Sequence, residues 1–516
     1  MSDLAFLESL TRIYRAAGES DDGARCMVSP NPELRERIKS AMRTMAESGA
    51  VPAALALRAA EPRELGFNDG VIVPPEEYPL GTAPSTIRAA AAARPTGPLR
   101  GVLRVIVVLV DFPDKPMTQT RKHYEDLFFS LGALPTKSVR EYYRDVTHGL
   151  IDIQGNVVGP FGLPQTIKTY AHGASGTTSA RPNAQTMARD AVIASDPTVD
   201  FTPYDNDGNG FVDAFIVIHA GAGGEVTGSS DDIWSHKWTL DGGARAVDQT
   251  KIFGYLTVPE DCKIGVCAHE LGHLLFGFPD LYDTDSTSEG IGNWCLMAAG
   301  SWGGGGDTPV HPSAWCKANQ GWVTIDNLKT DAAVNVPDVK TSNKVLRLWK
   351  NGAPGDEYFL LENRQQTGFD ISLPGNGLLI WHIDDSQSTN TDEKHYKVAL
   401  MQADGKRDME HNANRGDNGD PYPGTGNNRT FNATSDPNSK SYANADTSVA
   451  VTGIGVSGAT MTAQIQVKGA GGSAGPARKP KSKAKKVGKA KKAAKTKTAV
   501  KKVRRAKAVK KRSAQR

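Results

Sequence analysis

Apolar residues along the chain change their spacing from one stretch to the next, and each spacing predicts an element. Residues 4–17 repeat apolar positions at helical intervals and predict an amphipathic helix. Asn31-Pro32-Glu33 opens a second helix, with Asn as cap and Pro at the first position, running to about residue 48. Residues 101–112 form a continuous apolar run bounded by Gly and Pro, the pattern of a strand buried on both faces. Ser138 caps a short helix, residues 150–158 alternate as a strand, and residues 184–194 return to helical spacing. A second apolar strand is predicted over 214–218. Ile264, Val266, Leu271, Leu274, Leu275 and Phe278 then mark one face of a helix, which Gly277 and Pro279 stop. From about residue 327 the pattern becomes short strands (344–349, 358–362, 377–383, 398–402 and 460–467) separated by Gly, Pro and Asn turns, which reads as an antiparallel β domain.

The chain has 516 residues, enough for several cores. Residues 81–98, rich in Ala, Pro, Thr and Gly, read as a connector. These patterns divide the chain into a helical leader and linker (1–98), a segment of strands and helices that carries the candidate chemistry (99–326), a β-rich domain (327–468) and a Lys/Ala-rich tail (469–516). The net charge of +4 conceals an uneven distribution. The last 39 residues hold 20 of the 61 basic residues and no acid, leaving 41 bases against 57 acids, a net of −16, in the first 477. Like charges at the tail's density oppose packing, so disorder is expected there. Lys485, Lys486, Lys491, Lys492, Lys501, Lys502, Arg504 and Arg505 are its candidate polyanion-binding residues, with nucleic acid as the candidate partner through counterion release. No stretch approaches 18 continuous apolar residues, so no membrane span is expected. The start lacks a basic region followed by an apolar run, so no secretory signal is expected and the default compartment is cytoplasmic. Five cysteines are too few for a disulfide scaffold. Cys262 with Cys267, or Cys295 with Cys316, are candidate bridges that spacing alone does not decide.

The chemistry concentrates in His269-Glu270-Leu271-Gly272-His273. Residues four apart on a helix share a face, so two imidazoles there can grip one metal ion, and the intervening glutamate can act on water as a general base. Two imidazoles plus a carboxylate, with one position open, suit catalytic zinc. Trp294-Cys295-Leu296-Met297-Ala298-Ala299-Gly300, a methionine in a small-residue turn after that helix, resembles the Met-turn of metzincins. Asp205, Asp207, Asn209 and Asp213 place oxygen donors at alternating positions around a turn glycine, a candidate calcium loop. The twelfth position is Ile216 rather than Glu, so it is not a full EF-hand. The strand at 214–218 precedes the metal helix, the order in which zinc peptidases present a strand edge to substrate. His236 is either an oxyanion stabiliser or a packing residue. Cys26, in the polar stretch between the first two helices, is a candidate latency thiol that would cap the metal of an uncleaved precursor; the alternative is an ordinary free cysteine.

Beyond the zinc motif, Gly277-Phe278-Pro279-Asp280-Leu281-Tyr282-Asp283, Glu289-Gly290-Ile291-Gly292-Asn293-Trp294-Cys295-Leu296-Met297, Val110-Asp111-Phe112-Pro113-Asp114, Ile233-Trp234-Ser235-His236-Lys237-Trp238 and Gly377-Leu378-Leu379-Ile380-Trp381-His382 resemble the immune inhibitor A family of metallopeptidases over roughly residues 20–468. The resemblance implies a zincin-like α+β catalytic domain with a mixed sheet and an active-site helix, a propeptide, and often bound calcium. The chain departs from the family in lacking a signal sequence, in its basic tail, and in Phe276, which lengthens the step from helix to glycine by one. Two residues therefore compete for the third zinc ligand. Asp280 lies one beyond the place, ten after His269, where a metzincin ligand falls. Glu289 stands at a spacing closer to glutamate zincins, and is preferred because Asp280 has a turn-capping role open to it.

The function these readings predict is a zinc-dependent endopeptidase with Glu270 as general base, held by a propeptide and acting on proteins. The alternative is a catalytically inert, protease-like protein that binds nucleic acid or surfaces through its tail.

Overall fold

The computed structural model describes residues 3–18, 25–47, 99–284 and 286–469, all within one compact unit, Met1–Ala470. The connector at 81–98 and the tail lysines and arginines lie outside the described residues. The architecture is α+β with mixed sheets. Gly101–Asp111 is the strand its sequence predicts, and it pairs in parallel on both sides, with Ile151–Gly162 and with Phe215–His219. Its alternate residues feed two cores: Leu103, Val105, Val107 and Leu109 enter one, and Ile106, Val108 and Val110 the other. That two-sided burial is why the run is apolar at consecutive positions.

The full sheet has six strands in the order Cys26–Met27, His236–Thr239, Gly254–Pro259, Phe215–His219, Gly101–Asp111, Ile151–Gly162. The first two pairings are antiparallel and the rest parallel. One sequence expectation changes here. The strand nominated to present its edge to substrate, Phe215–His219, is central and entirely buried. The catalytic segment's own outermost strand on that side is His236–Thr239, and the leader strand Cys26–Met27 pairs against it.

The helix Ile264–Phe276 packs on the sheet face that holds Leu256 and Val258. It ends where the sequence predicts, at Gly277, whose φ of 64° lies in the left-handed region that glycine adopts without strain. The amide of Gly277 donates to the His273 carbonyl and that of Phe278 to the Gly272 carbonyl, so the chain doubles back along the helix. The leader helices Asp3–Gly18 and Pro32–Glu47 dock through Phe6, Leu7, Leu10, Ile13, Leu34 and Ile38, all buried. The second opens as predicted, with the Asn31 side chain accepting from the Leu34 amide. Gly228 is the seat of this docking, since a Cβ there would stand 2.8 Å from Phe6 and 2.9 Å from Leu34.

Beyond residue 326, a five-stranded sheet and a three-stranded sheet enclose a third core. The predicted strands are present, but one pairing departs from the antiparallel expectation: Lys344–Leu348 runs parallel to Thr324–Asn327. The other face of the five-stranded sheet contributes Leu360, Leu379, Trp381 and Ile383 to the core that contains the Ile264–Phe276 helix. All five cysteines are buried and unbridged. The thiols of Cys262 and Cys267, and of Cys295 and Cys316, are neighbours close enough to perturb one another. Among the described residues no helix is long and apolar enough to cross a membrane.

Candidate active site

His269, Glu270 and His273 are fully buried on the Ile264–Phe276 helix. The Nδ1–H of His269 donates to the Leu296 carbonyl at 2.9 Å and that of His273 to the Phe278 carbonyl at 2.5 Å. A carbonyl only accepts, so these contacts put a proton on each Nδ1, and the neutral form of each ring then offers its lone pair at Nε2. The two Nε2 atoms face one another at 3.0 Å, and each lies 3.1 Å from Oδ1 of Asp280. With neutral rings, three acceptors therefore converge in a buried interior. Donors bonded to a tetrahedral zinc at about 2.0–2.1 Å stand about 3.3 Å apart, close to the separations found. Burial and the neighbouring His269 disfavour the charged form of His273, against the pull of Asp280, so its pKa is lowered. Burial pushes Asp280 up, but the two histidines outweigh it and hold its carboxyl below the usual range. The cluster fits a divalent cation with nitrogen and oxygen donors.

The turn at Gly277 explains the choice of carboxylate. Seven residues after His273, the doubled-back chain returns Asp280 to the two imidazoles. The capping work that the sequence assigns to Asp280 is done by Asp283, whose Oδ2 accepts from the amide and hydroxyl of Ser288, each at 2.7 Å, and from the Thr287 hydroxyl. Glu289, the preferred third ligand on sequence grounds, is not brought to the histidines. Its carboxylate pairs with Arg35 at 3.5 Å, Arg415 at 3.3 Å and Lys39. Burial raises its pKa, but Arg35, Arg415 and Lys39 outweigh that and keep it below the usual range.

The Met-turn expectation also has a physical counterpart. A Cβ on Gly272 would lie 2.7 Å from Sδ of Met297, so the helix rests on that methionine at a residue with no side chain. The same turn supplies the Leu296 carbonyl to His269, and its Met297 carbonyl accepts from the Leu281 amide at 2.7 Å. Glu270 points neither oxygen at a hydrogen-bond partner. Burial, and then the charge of Asp280, push its carboxyl well above the ordinary glutamate range.

Cys26 joins this centre. Its Sγ and donor atoms of His273 and Asp280 lie within 4.8 Å of one another. His236, in contrast, is a packing residue. Its Nδ1 meets the Trp234 carbonyl at 2.6 Å and its Nε2 the Tyr255 hydroxyl at 2.8 Å, and burial lowers its pKa to about 3.

Asp205, Asp207 and Asp213 also come together, within 4.8 Å. Asp205 accepts from the amides of Gly208, Asn209 and Gly210, and Asn209 accepts from the Phe211 amide. Burial, with Asp207 and Asp205 adding to it against the hydrogen bonds from Asn206, raises Asp213 to about 7.

Two residues near the centre carried no assigned role in the sequence. The Tyr282 hydroxyl donates to the Met27 carbonyl at 2.6 Å. Lys237, buried in the edge strand, is near enough that its charge lowers the pKa of Glu270 and His273. Tyr282 was legible only as part of the turn following Gly277, and Lys237 carried no signal beyond its place among aromatic residues.

Residues 99–326 match the family model described as immune inhibitor A peptidase M6, catalytic domain. Among curated proteins, the chain is 31% identical over 269 residues to a pre-pro-metalloprotease PrtV of Vibrio cholerae serotype O1, a match covering 42% of this chain and 29% of that protein. It is 30% identical over 262 residues to immune inhibitor A of Bacillus thuringiensis subsp. alesti, covering 40% of this chain and 38% of the relative. The chain thus spans well under half the length of the curated relatives it matches.

Proposed function

From the premise that residues 99–326 are an immune inhibitor A-type M6 peptidase catalytic domain, we propose that the chain is a zinc endopeptidase of zincin-like fold. His269, His273 and Asp280 would hold the metal. The observation that carries this reading is the convergence of two imidazole Nε2 atoms and one carboxylate oxygen at 3.0–3.1 Å, with both Nδ1 atoms engaged elsewhere. Zinc, when bound, supplies Lewis acidity toward a peptide carbonyl and toward water. The chain's own residues do the rest. The Leu296 and Phe278 carbonyls fix both imidazoles in the tautomer that offers Nε2. Glu270 has no competing hydrogen bond and, by burial, a raised pKa, so it is free to accept a proton from water at its carboxylate and deliver it to the leaving amine. The edge of His236–Thr239 is where an extended peptide would add to the sheet, with main-chain hydrogen bonds presenting the scissile bond to the centre.

The Asp205–Asp207–Asp213 loop is a candidate structural calcium site in the same reading. Protein is the proposed substrate class. The tail's role toward a polyanion is a separate proposal, tested by a DNA shift assay with and without residues 478–516.

The test of the main reading is metal analysis of the purified chain, with casein hydrolysis measured on the intact chain and on chain nicked between residues 48 and 98, each with and without chelator. One zinc per chain and chelator-sensitive hydrolysis by the nicked form are expected. A nicked protein carrying a full equivalent of zinc that cleaves no protein substrate overturns the reading.

A further inference from the structure

We propose that the leader is a built-in inhibitor whose Cys26 thiolate is the fourth ligand of the metal centre, so that the intact chain is latent until the leader is displaced. This rests on the metal-site reading above and concerns the regulation of that site.

Two independent features of the structure converge on it. One is the thiol. Cys26 is 1% exposed, and its Sγ shares a 4.8 Å cluster with ligand atoms of His273 and Asp280. A thiolate about 2.3 Å and an imidazole about 2.0 Å from one zinc stand about 3.5 Å apart. Sulfur therefore stands on the His273–Asp280 side of the centre, within reach of the vertex a catalytic site otherwise keeps for water.

The other is the backbone. Cys26–Met27 is a strand of the sheet, antiparallel to the catalytic segment's outermost strand, with Cys26 opposite Lys237 and Met27 opposite His236. An extended peptide substrate would need that same row of backbone groups. The pairing continues with the Val28 amide donating to the Ser235 carbonyl at 3.3 Å. Three successive leader carbonyls are then gripped by side chains of the catalytic segment: Met27 by the Tyr282 hydroxyl at 2.6 Å, Val28 by the Trp234 indole at 2.9 Å and Ser29 by the Trp302 indole at 3.0 Å. Upstream, the Arg25 guanidinium lies 4.6 Å over the Trp238 ring and donates to the Thr177 carbonyl. Downstream, Asn31 bonds the Glu225 carbonyl, and Arg35 and Lys39 close on Glu289. The leader thus lies in the cleft as an extended peptide would, with sulfur standing at the metal.

Coordination requires Cys26 to lose its thiol proton, which leaves to solvent as the metal–sulfur bond forms. The bond excludes the water that Glu270 would deprotonate, so the bound strand survives beside an otherwise complete centre. Cleavage anywhere in residues 48–98 cuts the chain between leader and catalytic segment and leaves the strap held by the exchangeable metal–sulfur bond and the contacts above.

The experiment uses the full chain loaded with Co(II) in place of zinc, beside Cys26→Ser, which keeps the other four cysteines. The wild type is expected to show near-ultraviolet thiolate-to-cobalt charge-transfer absorption. The variant should bind one Co(II) without that band, and its zinc form should cleave casein at least about tenfold faster than intact wild type, as the open population rises. One equivalent of Co(II) in the wild type with no charge-transfer band overturns the latch and leaves the metal-site reading standing. A chain that binds no Co(II) removes the metal-site reading, and the latch with it. A band lost in Cys26→Ser with casein hydrolysis still absent overturns sulfur as the latch, because the backbone strap would then suffice.

Discussion

Two buried clusters of charged and polar side chains lie in the same body and obey opposite rules. Where the catalytic segment meets the five-stranded sheet, Lys317, Glu362, Arg364 and Asp370 are all fully buried or nearly so, and every carboxylate oxygen has a partner. Glu362 takes Lys317 at 2.9 Å on one oxygen, with Arg364 and the Trp381 indole on the other. Asp370 takes the Arg364 guanidinium on both oxygens, with the His311 amide on one and Lys340 on the other. At the metal centre, three acceptors crowd together and Glu270 has no hydrogen bond at all. Burial of polar groups is costly unless they are paired. The first cluster meets that cost internally and ties the helix bearing Lys317 to the five-stranded sheet. The second leaves it unmet at Glu270, and a buried site left unmet is one built for something that arrives. The contrast separates a structural cluster from a candidate reactive one, although both are fully buried or nearly so.

Removing the reactive group should give the largest effect. Glu270→Gln is expected to lower turnover of the activated protein by about 10²–10⁴-fold with zinc content unchanged; substantial remaining hydrolysis would place the base elsewhere. In the paired cluster the loss appears as stability. Arg364→Ala strands Asp370 and should cost about 3–5 kcal/mol in denaturant unfolding, with no specific effect on metal affinity in whatever fraction folds. Next, Asp280→Ala and Glu289→Gln sharpen the geometric distinction between the two carboxylates. The first should weaken zinc by more than the roughly 10–100-fold typical of losing an outer partner, and the second should leave zinc affinity unchanged while loosening the leader. Equal zinc loss in both would contradict the arrangement described.

The smallest effect is in pH. Burial pushes Asp370 and Glu362 up, but Arg364 and Lys317 more than reverse it, so both have folded pKa values below their unfolded ones. Such groups bind more protons when unfolded, so their contribution is present above the unfolded values of about 4 and is lost as pH falls further. The stability difference between wild type and Arg364→Ala should therefore be constant from about pH 6 to 8 and shrink below about pH 4. A difference that grew on acidification would reverse the assigned sign.

The elements of the fold were widely legible, because local physics decides them. The apolar run at 101–112, the Ser138 and Asn31 caps, and the Gly277 stop each express a backbone or burial demand confined to a few residues. His269, Glu270 and His273 were legible for the same reason, since helical spacing alone puts both imidazoles on one face. The third carboxylate was not. Asp280 and Glu289 both follow the helix at plausible distances, and only the path of the chain after Gly277 distinguishes them. Likewise, the strand at 214–218 looked like a substrate edge from its order in the chain. Sheet order, which places it centrally, depends on pairings between distant segments.

Local periodicity and one short motif thus determined that this chain has a buried parallel strand and a helix with two imidazoles on one face and a glutamate between them, since spacing within a single element suffices for each. What lies against that helix was decided only in three dimensions: Asp280 rather than Glu289 at the histidines, Glu289 clasping the leader, and Cys26 at the metal centre more than 240 residues from His269 in sequence. Contacts of that kind are set by how the elements pack and how the chain returns, and neither has a signature in the spacing of residues along it.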